Sequence, residues 1–222
     1  MFKKVLISED IDSIGMTLKL MLEKLKIEEV HQVSHCDEAF LKIKKAILEQ
    51  QPYDLLICDL SFKDSHINTT LFTGEELINT VKTIQPDIKI VVYSIEDKSY
   101  RIKYLFEKSG INAYILKGRN SIPTLQKAIQ DIYLNHEVVI PIEIEQKLND
   151  RNLIEIDDYD ISILQLMSKG YTLEEISTYF KTNTINPSSS SSIEKKITKL
   201  KSYFKANNNV QLIALSKDLG II

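Results

Sequence analysis

Five short apolar runs, separated by amphipathic stretches, occupy about the first 135 residues and limit the possible folds more than any other feature of the sequence. The runs are KVLIS, EEVHQVS, YDLLICD, IKIVVYS and NAYILK. This alternation is typical of a parallel sheet with helices on both faces. Four runs are almost continuously apolar, which is consistent with strands buried on both faces, whereas EEVHQVS is more polar and is predicted at an edge. We therefore predict an α/β fold with a doubly wound, five-stranded parallel sheet over residues 1–136.

The stretches between the runs have the spacing of helices that bury one face. Leu18, Leu22 and Leu25 recur at intervals of three and four residues, as on one side of a helix. The predicted helices start near Asp12, Asp37, Gly74, Lys98 and Ser121.

The pattern changes after the fifth run. Residues 137–156 contain Pro141 and an irregular acidic stretch, which predicts a linker. Residues 157–222 contain amphipathic stretches and no evident strand, so we predict a small all-α domain there. Helix starts are predicted at Thr172 and Ser191, because a glutamate follows each by three residues in the spacing of a capping box.

The sequence contains no apolar run of the roughly 20 residues needed to cross a bilayer, so no membrane association is expected. MFKKVLISED does not resemble a secretory signal, and we expect a cytoplasmic protein. Cys36 and Cys58 lack metal-ligand spacing and are predicted to be packing residues.

Polar residues stand at the carboxyl ends of the predicted strands. Glu9 and Asp10 follow the first strand, Asp59 the third, Ser94 the fourth and Lys117 the fifth. In an open parallel sheet the functional crevice lies beyond these strand ends. Three carboxylates would meet there, and their mutual repulsion predicts a bound cation.

Such a group of oxygen ligands is suited to Mg²⁺, which proteins usually hold with one or two carboxylates plus substrate oxygens. Asp59 would attack a phosphoryl donor, while the metal and Lys117 offset the charge on the transferred oxygens and Ser94 donates a hydrogen bond. The sequence therefore predicts a phosphoryl-acceptor site.

These segments resemble the receiver domains of bacterial response regulators, which have a flavodoxin-like fold. The matching segments are ISED, ICDLS, VVYS and AYILKG. The resemblance implies that a histidine kinase phosphorylates Asp59, and that the backbone carbonyl of Ser61 joins the carboxylates as a magnesium ligand. It also implies that Ser94 and Tyr114 form a switch that responds to the phosphate.

Three features depart from the receiver pattern. The loop from Asp59 to Gly74 is several residues longer than usual, and Ile95 replaces a small residue, which predicts a narrower approach to the site. Gly118 stands where many receivers have proline. None of these changes removes a predicted site residue.

Residues 157–222 resemble the helix-turn-helix output domain of LuxR and NarL type regulators. The resemblance implies a supporting helix at 172–180, a recognition helix at 192–204 and a closing helix at 210–219. It implies binding to double-stranded DNA and a homodimer in the active state, for which the closing helix is a candidate contact.

The recognition helix is also indicated by its own pattern. Ile193, Ile197, Leu200 and Phe204 share one side, and Lys195, Thr198, Lys199 and Ser202 lie opposite. Basic residues are also concentrated between Lys181 and Lys205, as expected of a phosphate-binding element. The candidate DNA contacts are Lys195, Lys196, Thr198 and Lys199.

The connection before this helix, KTNTINPSSSS, is longer than the turn of the family. It is either a flexible turn or an additional loop that contacts DNA. Glu194 either caps the helix or accepts a hydrogen bond from a cytosine amino group.

A phosphorylation-controlled transcription factor is the favoured interpretation, with no enzymatic role beyond self-directed phosphotransfer and autodephosphorylation. One alternative is a signalling adaptor whose helical domain binds a protein. Another is a phosphohydrolase with an aspartate nucleophile, which the sequence disfavours because Ser61 stands where such enzymes place a second carboxylate.

Overall fold

A computed structural model describes residues 1–62, 70–135, 138–148, 156–218 and 221–222. By contacts the chain divides into two units, Met1–Asn149 and Asp150–Ile222.

The first unit is built on the five predicted strands. They are β1 (Lys4–Ser8), β2 (Glu29–Val33), β3 (Leu55–Cys58), β4 (Lys89–Ser94) and β5 (Ala113–Leu116). The strands form one parallel sheet in the order β2-β1-β3-β4-β5. The polar strand β2 lies at an edge, as predicted, and the three inner strands are apolar because helices cover both of their faces.

Helices follow the strands at the predicted places. They are α1 (Asp12–Lys24), α2 (Cys36–Leu48), α3 (Gly74–Ile84), α4 (Ser99–Glu107) and α5 (Ser121–Asn135). Because side chains alternate along a strand, Leu6 and Leu56 join the core under α2, α3 and α4, whereas Val5 and Ile57 join the core under α1 and α5. Cys36 and Cys58 are buried in the first of these cores, as predicted.

A short helix, α6 (Ile142–Leu148), occurs where the sequence indicated an irregular linker. The Val139 amide donates a hydrogen bond of 2.7 Å to the Asn112 carbonyl oxygen just before β5. Ile144 is 1% exposed and belongs to the core that also contains Ile102 and Leu105 of α4. The chain beyond α5 therefore completes the core of the first unit.

The described part of the second unit contains helices and no strand. These are α7 (Asp158–Ser168), α8 (Leu173–Thr182), α9 (Ser190–Phe204) and α10 (Asn209–Asp218). They enclose a core to which Ile163, Phe180, Ile197 and Leu212 contribute. The fold class predicted from the sequence, a doubly wound sheet followed by a small helical domain, is confirmed. The predicted end of the closing helix, Leu219, lies outside the described residues.

The structure confirms one predicted capping box and corrects the other. Thr172 accepts a hydrogen bond from the Glu175 amide, and the Glu175 side chain accepts one from the Thr172 amide. Helix α9, however, begins at Ser190 and is capped by Ser189, whose side chain accepts from the Ser192 amide. The prediction of a box at Ser191 was wrong because the serine run offers several possible caps and the earlier one is used.

None of the helices in the described part of the chain combines the length and the apolar character that crossing a membrane requires.

Candidate functional site

The register of the central strands places the predicted site residues side by side. Ser8 of β1 pairs with Cys58 of β3, and the Asp59 amide donates a hydrogen bond of 3.0 Å to the Ser8 carbonyl oxygen. Glu9 and Asp59 are the next residues after these strands, so both carboxylates emerge at the same edge of the sheet. Ligand atoms of Glu9, Asp10 and Asp59 all lie within 4.8 Å of one another.

Lys117 completes this cluster from the end of β5. Its Nζ lies 2.7 Å from Oε2 of Glu9 and 2.6 Å from Oδ2 of Asp59. Glu9 and Asp59 are buried, and the Lys117 side chain is 9% exposed. The Lys117 ammonium therefore bridges two buried carboxylates in a mostly desolvated place, and the Asp10 carboxylate lies beside them.

Burial and ion pairing act in opposite directions on these groups. Burial raises the pKa of Glu9, and the contact with Lys117 offsets this only in part. Burial also disfavours the charged form of Lys117, but its contacts with Asp59 and Glu9 outweigh that effect and raise its pKa. Lys117 therefore stays a cation, which is the form needed to stabilise phosphoryl oxygens.

The second oxygen of Asp59 is held by backbone groups. Its Oδ1 accepts a hydrogen bond of 2.6 Å from the Leu60 amide, and the Ser61 amide lies 3.5 Å from the same atom. These contacts orient the carboxylate toward the cluster. The carbonyl of Ser61 as a metal ligand stays a prediction.

Gly74, at the start of α3, is a site residue that the sequence reasoning recognised only as a helix start. A methyl group on Gly74 would lie 1.8 Å from the carbonyl oxygen of Asp59. Glycine is therefore required for α3 to approach the backbone that carries Asp59. The signal was present: glycine is a poor helix former, yet it follows Thr73, which caps the helix with Glu76 in a capping box.

The predicted switch residues lie beside the cluster. Ser94, the last residue of β4, is fully buried, and so is the Tyr114 ring. Burial raises the pKa of Tyr114 well above its ordinary value, and its hydroxyl donates a hydrogen bond of 2.7 Å to the Glu96 carbonyl oxygen. Tyr114 is therefore connected to the loop that follows Ser94.

An ion-pair network that the sequence did not reveal holds this loop. Arg101 of α4 contacts two carboxylates. Its Nη1 lies 3.1 Å from Oε2 of Glu96, and its Nη2 lies 3.4 Å from Oε2 of Glu75 at the start of α3. The network joins the loop after β4 to two helices. No spacing rule links these three residues, so sequence alone gave no signal for them.

The departures from the receiver pattern have different places in the structure. Ile95 is 72% exposed, so its predicted narrowing of the approach to the site stays a prediction. A methyl group added at Gly118 would meet nothing within 4 Å. Most of the long loop after Asp59, residues 63–69, lies outside the described residues.

In the second unit, the predicted outer face of the recognition helix is confirmed by burial. Ile193, Ile197 and Leu200 are buried in the helical core. The residues on the opposite side are exposed, namely Lys195, Thr198, Lys199 and Ser202. Lys196, also predicted to contact DNA, is instead half-buried and ion-paired within the unit, with Asp157 and Asp160.

The connection before α9 is shorter than the sequence suggested, because α8 ends at Thr182 and α9 begins at Ser190. Two hydrogen bonds hold it: the Tyr159 hydroxyl donates to the Pro187 carbonyl oxygen at 2.5 Å, and the Ser177 hydroxyl donates to that of Ser188 at 2.7 Å. The suggestion that Glu194 caps the helix was wrong, because Ser189 is the cap.

Comparisons with known proteins agree with this geometry. The model of the response regulator receiver domain family matches residues 5–130. The chain therefore belongs to the response regulator receiver family. No curated protein sequence matched it.

Several solved structures have the same fold. A structure described as two RcsB dimers bound to two parallel DNAs is 17% identical, with a TM-score of 0.64 and coverage of 97% of this chain and 98% of that chain. RcsB of Salmonella enterica serovar Typhimurium, bound to promoter rprA with a phosphomimetic, is 17% identical, with a TM-score of 0.61 over 96% of this chain and 97% of that one. A LuxR family response regulator from Aurantimonas sp. SI85-9A1 is 16% identical, with a TM-score of 0.56 over 67% of this chain and 96% of that one.

Proposed function

We propose that this protein is a cytoplasmic response regulator that accepts a phosphoryl group on Asp59 from a histidine kinase and binds double-stranded DNA through its helical unit. The observation that carries the first half is the meeting of Glu9, Asp10 and Asp59 with Lys117 at one sheet edge. The second half is supported by the amphipathic helix α9 and by the fold shared with RcsB, whose structures include DNA complexes.

The acidic cluster fits Mg²⁺, because its three carboxylates are hard oxygen ligands within 4.8 Å of one another. Glu9, Asp10, Asp59 and the carbonyl of Ser61 would hold the ion. When bound, Mg²⁺ supplies positive charge against the oxygens of the transferred phosphoryl group.

The protein residues perform the remaining work. An oxygen of Asp59 attacks phosphorus, and the bond from phosphorus to the leaving atom of the donor breaks; this atom is an imidazole nitrogen in a phosphorylated histidine kinase and an oxygen in acetyl phosphate. The Leu60 amide and Lys117 orient the carboxylate, and Lys117 would bind a phosphoryl oxygen. Water would later cleave the acyl phosphate in a self-directed reaction. Ser94 and Tyr114 would report the phosphate to the loop that contains Glu96.

Acetyl phosphate with Mg²⁺ tests the first half by intact mass. The wild-type chain should gain one phosphoryl group, and Asp59→Ala should gain none. Asp87→Ala is the matched control, because Asp87 is an exposed carboxylate on the first unit. Equal labelling of wild type and Asp59→Ala would remove Asp59 from the mechanism.

Fluorescence anisotropy with a labelled duplex tests the second half across a range of salt concentrations. Contacts between lysines and phosphates release counterions, so the logarithm of the affinity should fall linearly with the logarithm of the salt concentration. Lys195→Ala and Lys199→Ala should each reduce the slope by about one. Binding that does not depend on salt, or no binding, would favour the adaptor. We also propose a homodimer in the active state, which sedimentation before and after phosphorylation would test.

A further inference from the structure

Lys196 differs from Lys195 and Lys199 on the recognition helix because it forms ion pairs within the helical unit. Its Nζ lies 3.1 Å from Oδ2 of Asp160 and 3.2 Å from Oδ2 of Asp157. The same ammonium lies 6.0 Å from the centre of the Tyr159 ring. All three partners belong to the start of α7, so this amine faces that helix.

The two carboxylates have a second role at the start of α7. Asp157 accepts a hydrogen bond of 2.8 Å from the Asp160 amide, and Asp160 accepts one of 3.2 Å from the Asp157 amide. This reciprocal arrangement fixes the first turn of α7. Lys196 therefore binds a carboxylate pair that is already held rigidly by its own backbone.

Burial decides how firmly Lys196 is held. Asp160 is 1% exposed, and its other oxygen, Oδ1, is buried with no hydrogen-bond partner. If Lys196 moved to a phosphate, the Asp160 carboxylate would remain in the core without its cation, and a buried unpaired charge is far more costly than a lost surface contact. Lys196 is thus poorly suited to bind DNA directly.

The first turn of α7 also holds the chain that leads into α9. The Tyr159 hydroxyl donates to the Pro187 carbonyl oxygen, two residues before the cap Ser189. The Tyr159 hydroxyl therefore holds the chain at the entrance of helix α9, and Lys196 attaches the helix to the same turn of α7 about two turns further on. Two such attachments set the rotation of α9 about its axis, and with it the direction of Lys195 and Lys199.

We propose that Lys196 is a positioning residue for DNA binding: it fixes the recognition helix against α7 through Asp157 and Asp160 and makes no phosphate contact. This inference rests in part on the proposed DNA binding. It distinguishes Lys196 from its neighbour Lys195 and from Lys199, although all three belong to one basic stretch.

The salt dependence of duplex binding separates a positioning residue from a contact residue. Lys196→Met should weaken binding about tenfold at every salt concentration and leave the slope unchanged, because no counterion is released at this position. Lys199→Met, the matched control, should reduce the slope by about one. Lys196→Arg should restore the affinity to within about threefold, since a guanidinium can bind both carboxylates. Each variant is measured at a temperature at which circular dichroism shows it to be folded.

A slope that falls by about one in Lys196→Met would overturn the proposal, and so would Lys196→Arg binding as weakly as Lys196→Met.

A second measurement needs no DNA. Amide exchange in α9 should become about tenfold faster in Lys196→Met, and the same substitution should add little in an Asp160→Asn background. If the wild-type chain did not bind DNA, the proposed DNA-binding function would be wrong, but the exchange measurement would still test the attachment of α9 to α7. If amide exchange in α9 were unchanged in Lys196→Met, the proposal that Lys196 fixes α9 against α7 would be wrong.

Discussion

The two units of this chain each contain a lysine held by two carboxylates, and the two clusters have opposite consequences. In the first unit, Nζ of Lys117 lies 2.7 Å from a carboxylate oxygen of Glu9 and 2.6 Å from one of Asp59. In the second unit, Nζ of Lys196 lies 3.1 Å from a carboxylate oxygen of Asp160 and 3.2 Å from one of Asp157. The two clusters are therefore similar in their residue types and in their ion-pair distances. What differs is the number of carboxylates and the elements that carry them.

In the first unit the groups come from three strand ends, and Asp10 adds a third carboxylate to the cluster. Three carboxylates whose oxygens lie within 4.8 Å of one another are the kind of ligand set that a divalent cation prefers. In the second unit the two aspartates also accept backbone amides at the start of α7, where the helix dipole favours negative charge. There the lysine pairs with two carboxylates that already accept hydrogen bonds from the backbone of α7. The difference teaches that carboxylates gathered from separate strand ends, and not ion pairing as such, mark a chemical site.

The largest expected effect tests this distinction directly. Lys117→Met should slow phosphorylation by acetyl phosphate about 100-fold, because it removes a cation that faces the transferred oxygens. Lys196→Met should leave that rate unchanged. A time course by intact mass measures both variants, and equal rates in the two would show that the clusters do not differ in this respect.

The next effect concerns the close approach that supports the first cluster. Gly74→Ala should destabilise the first unit by about 3 kcal/mol, because its methyl group would overlap the Asp59 carbonyl oxygen and force the backbone apart. Gly118→Ala, where a methyl group meets nothing within 4 Å, is the control and should change stability by less than about 0.5 kcal/mol. Amide exchange in β1 and β3 reports the stability of this unit. Equal protection in both variants would contradict the required glycine.

A smaller effect should separate the two aspartates of the second cluster. Asp160→Asn should cost about 2 kcal/mol, because the buried carboxylate loses its charge interaction with Lys196. Asp157→Asn should cost less, because this side chain is 54% exposed and asparagine is also a good helix cap. Amide exchange in α7 and α9 measures both. If Asp157→Asn lost more stability than Asp160→Asn, burial would not be what decides the contribution of each carboxylate.

The smallest effect belongs to a third cluster with one cation and two carboxylates. Arg101→Met should destabilise the first unit by about 1 kcal/mol, because its contacts with Glu96 and Glu75 are partly solvated. Lys45→Met, which breaks an exposed pair with Glu49, is the control and should show no measurable change. Loss of several kcal/mol in Arg101→Met would place this network with the buried clusters.

The first cluster was predictable from the sequence because functional residues of a parallel sheet lie at the carboxyl ends of its strands. Once five strands were recognised, Glu9, Asp59 and Lys117 had to meet at one edge. The second cluster was not predictable in this way. Lys196 and Asp157 are separated by 39 residues, and only the packing of α9 on α7 brings them together. The basic stretch led to the prediction that Lys196 contacts DNA, and it gave no sign of the ion pairs with α7.

Helix α6 was missed for a different physical reason. It is seven residues long, follows a proline, and is too short to be stable by propensity alone. It forms because Ile144 finds a place in the core between β5 and α4. Likewise, the start of α9 was misplaced because consecutive serines are equivalent caps until packing selects one.

The docking of α6 also decides how a receiver of this kind can be prepared in isolation. A fragment that stops after residue 136 would have an apolar cavity at the place that Ile144 fills. It would also lack the hydrogen bond from the Val139 amide to the Asn112 carbonyl oxygen. Such a fragment should bind hydrophobic dyes and aggregate, whereas one that continues through Leu148 keeps its apolar interior closed.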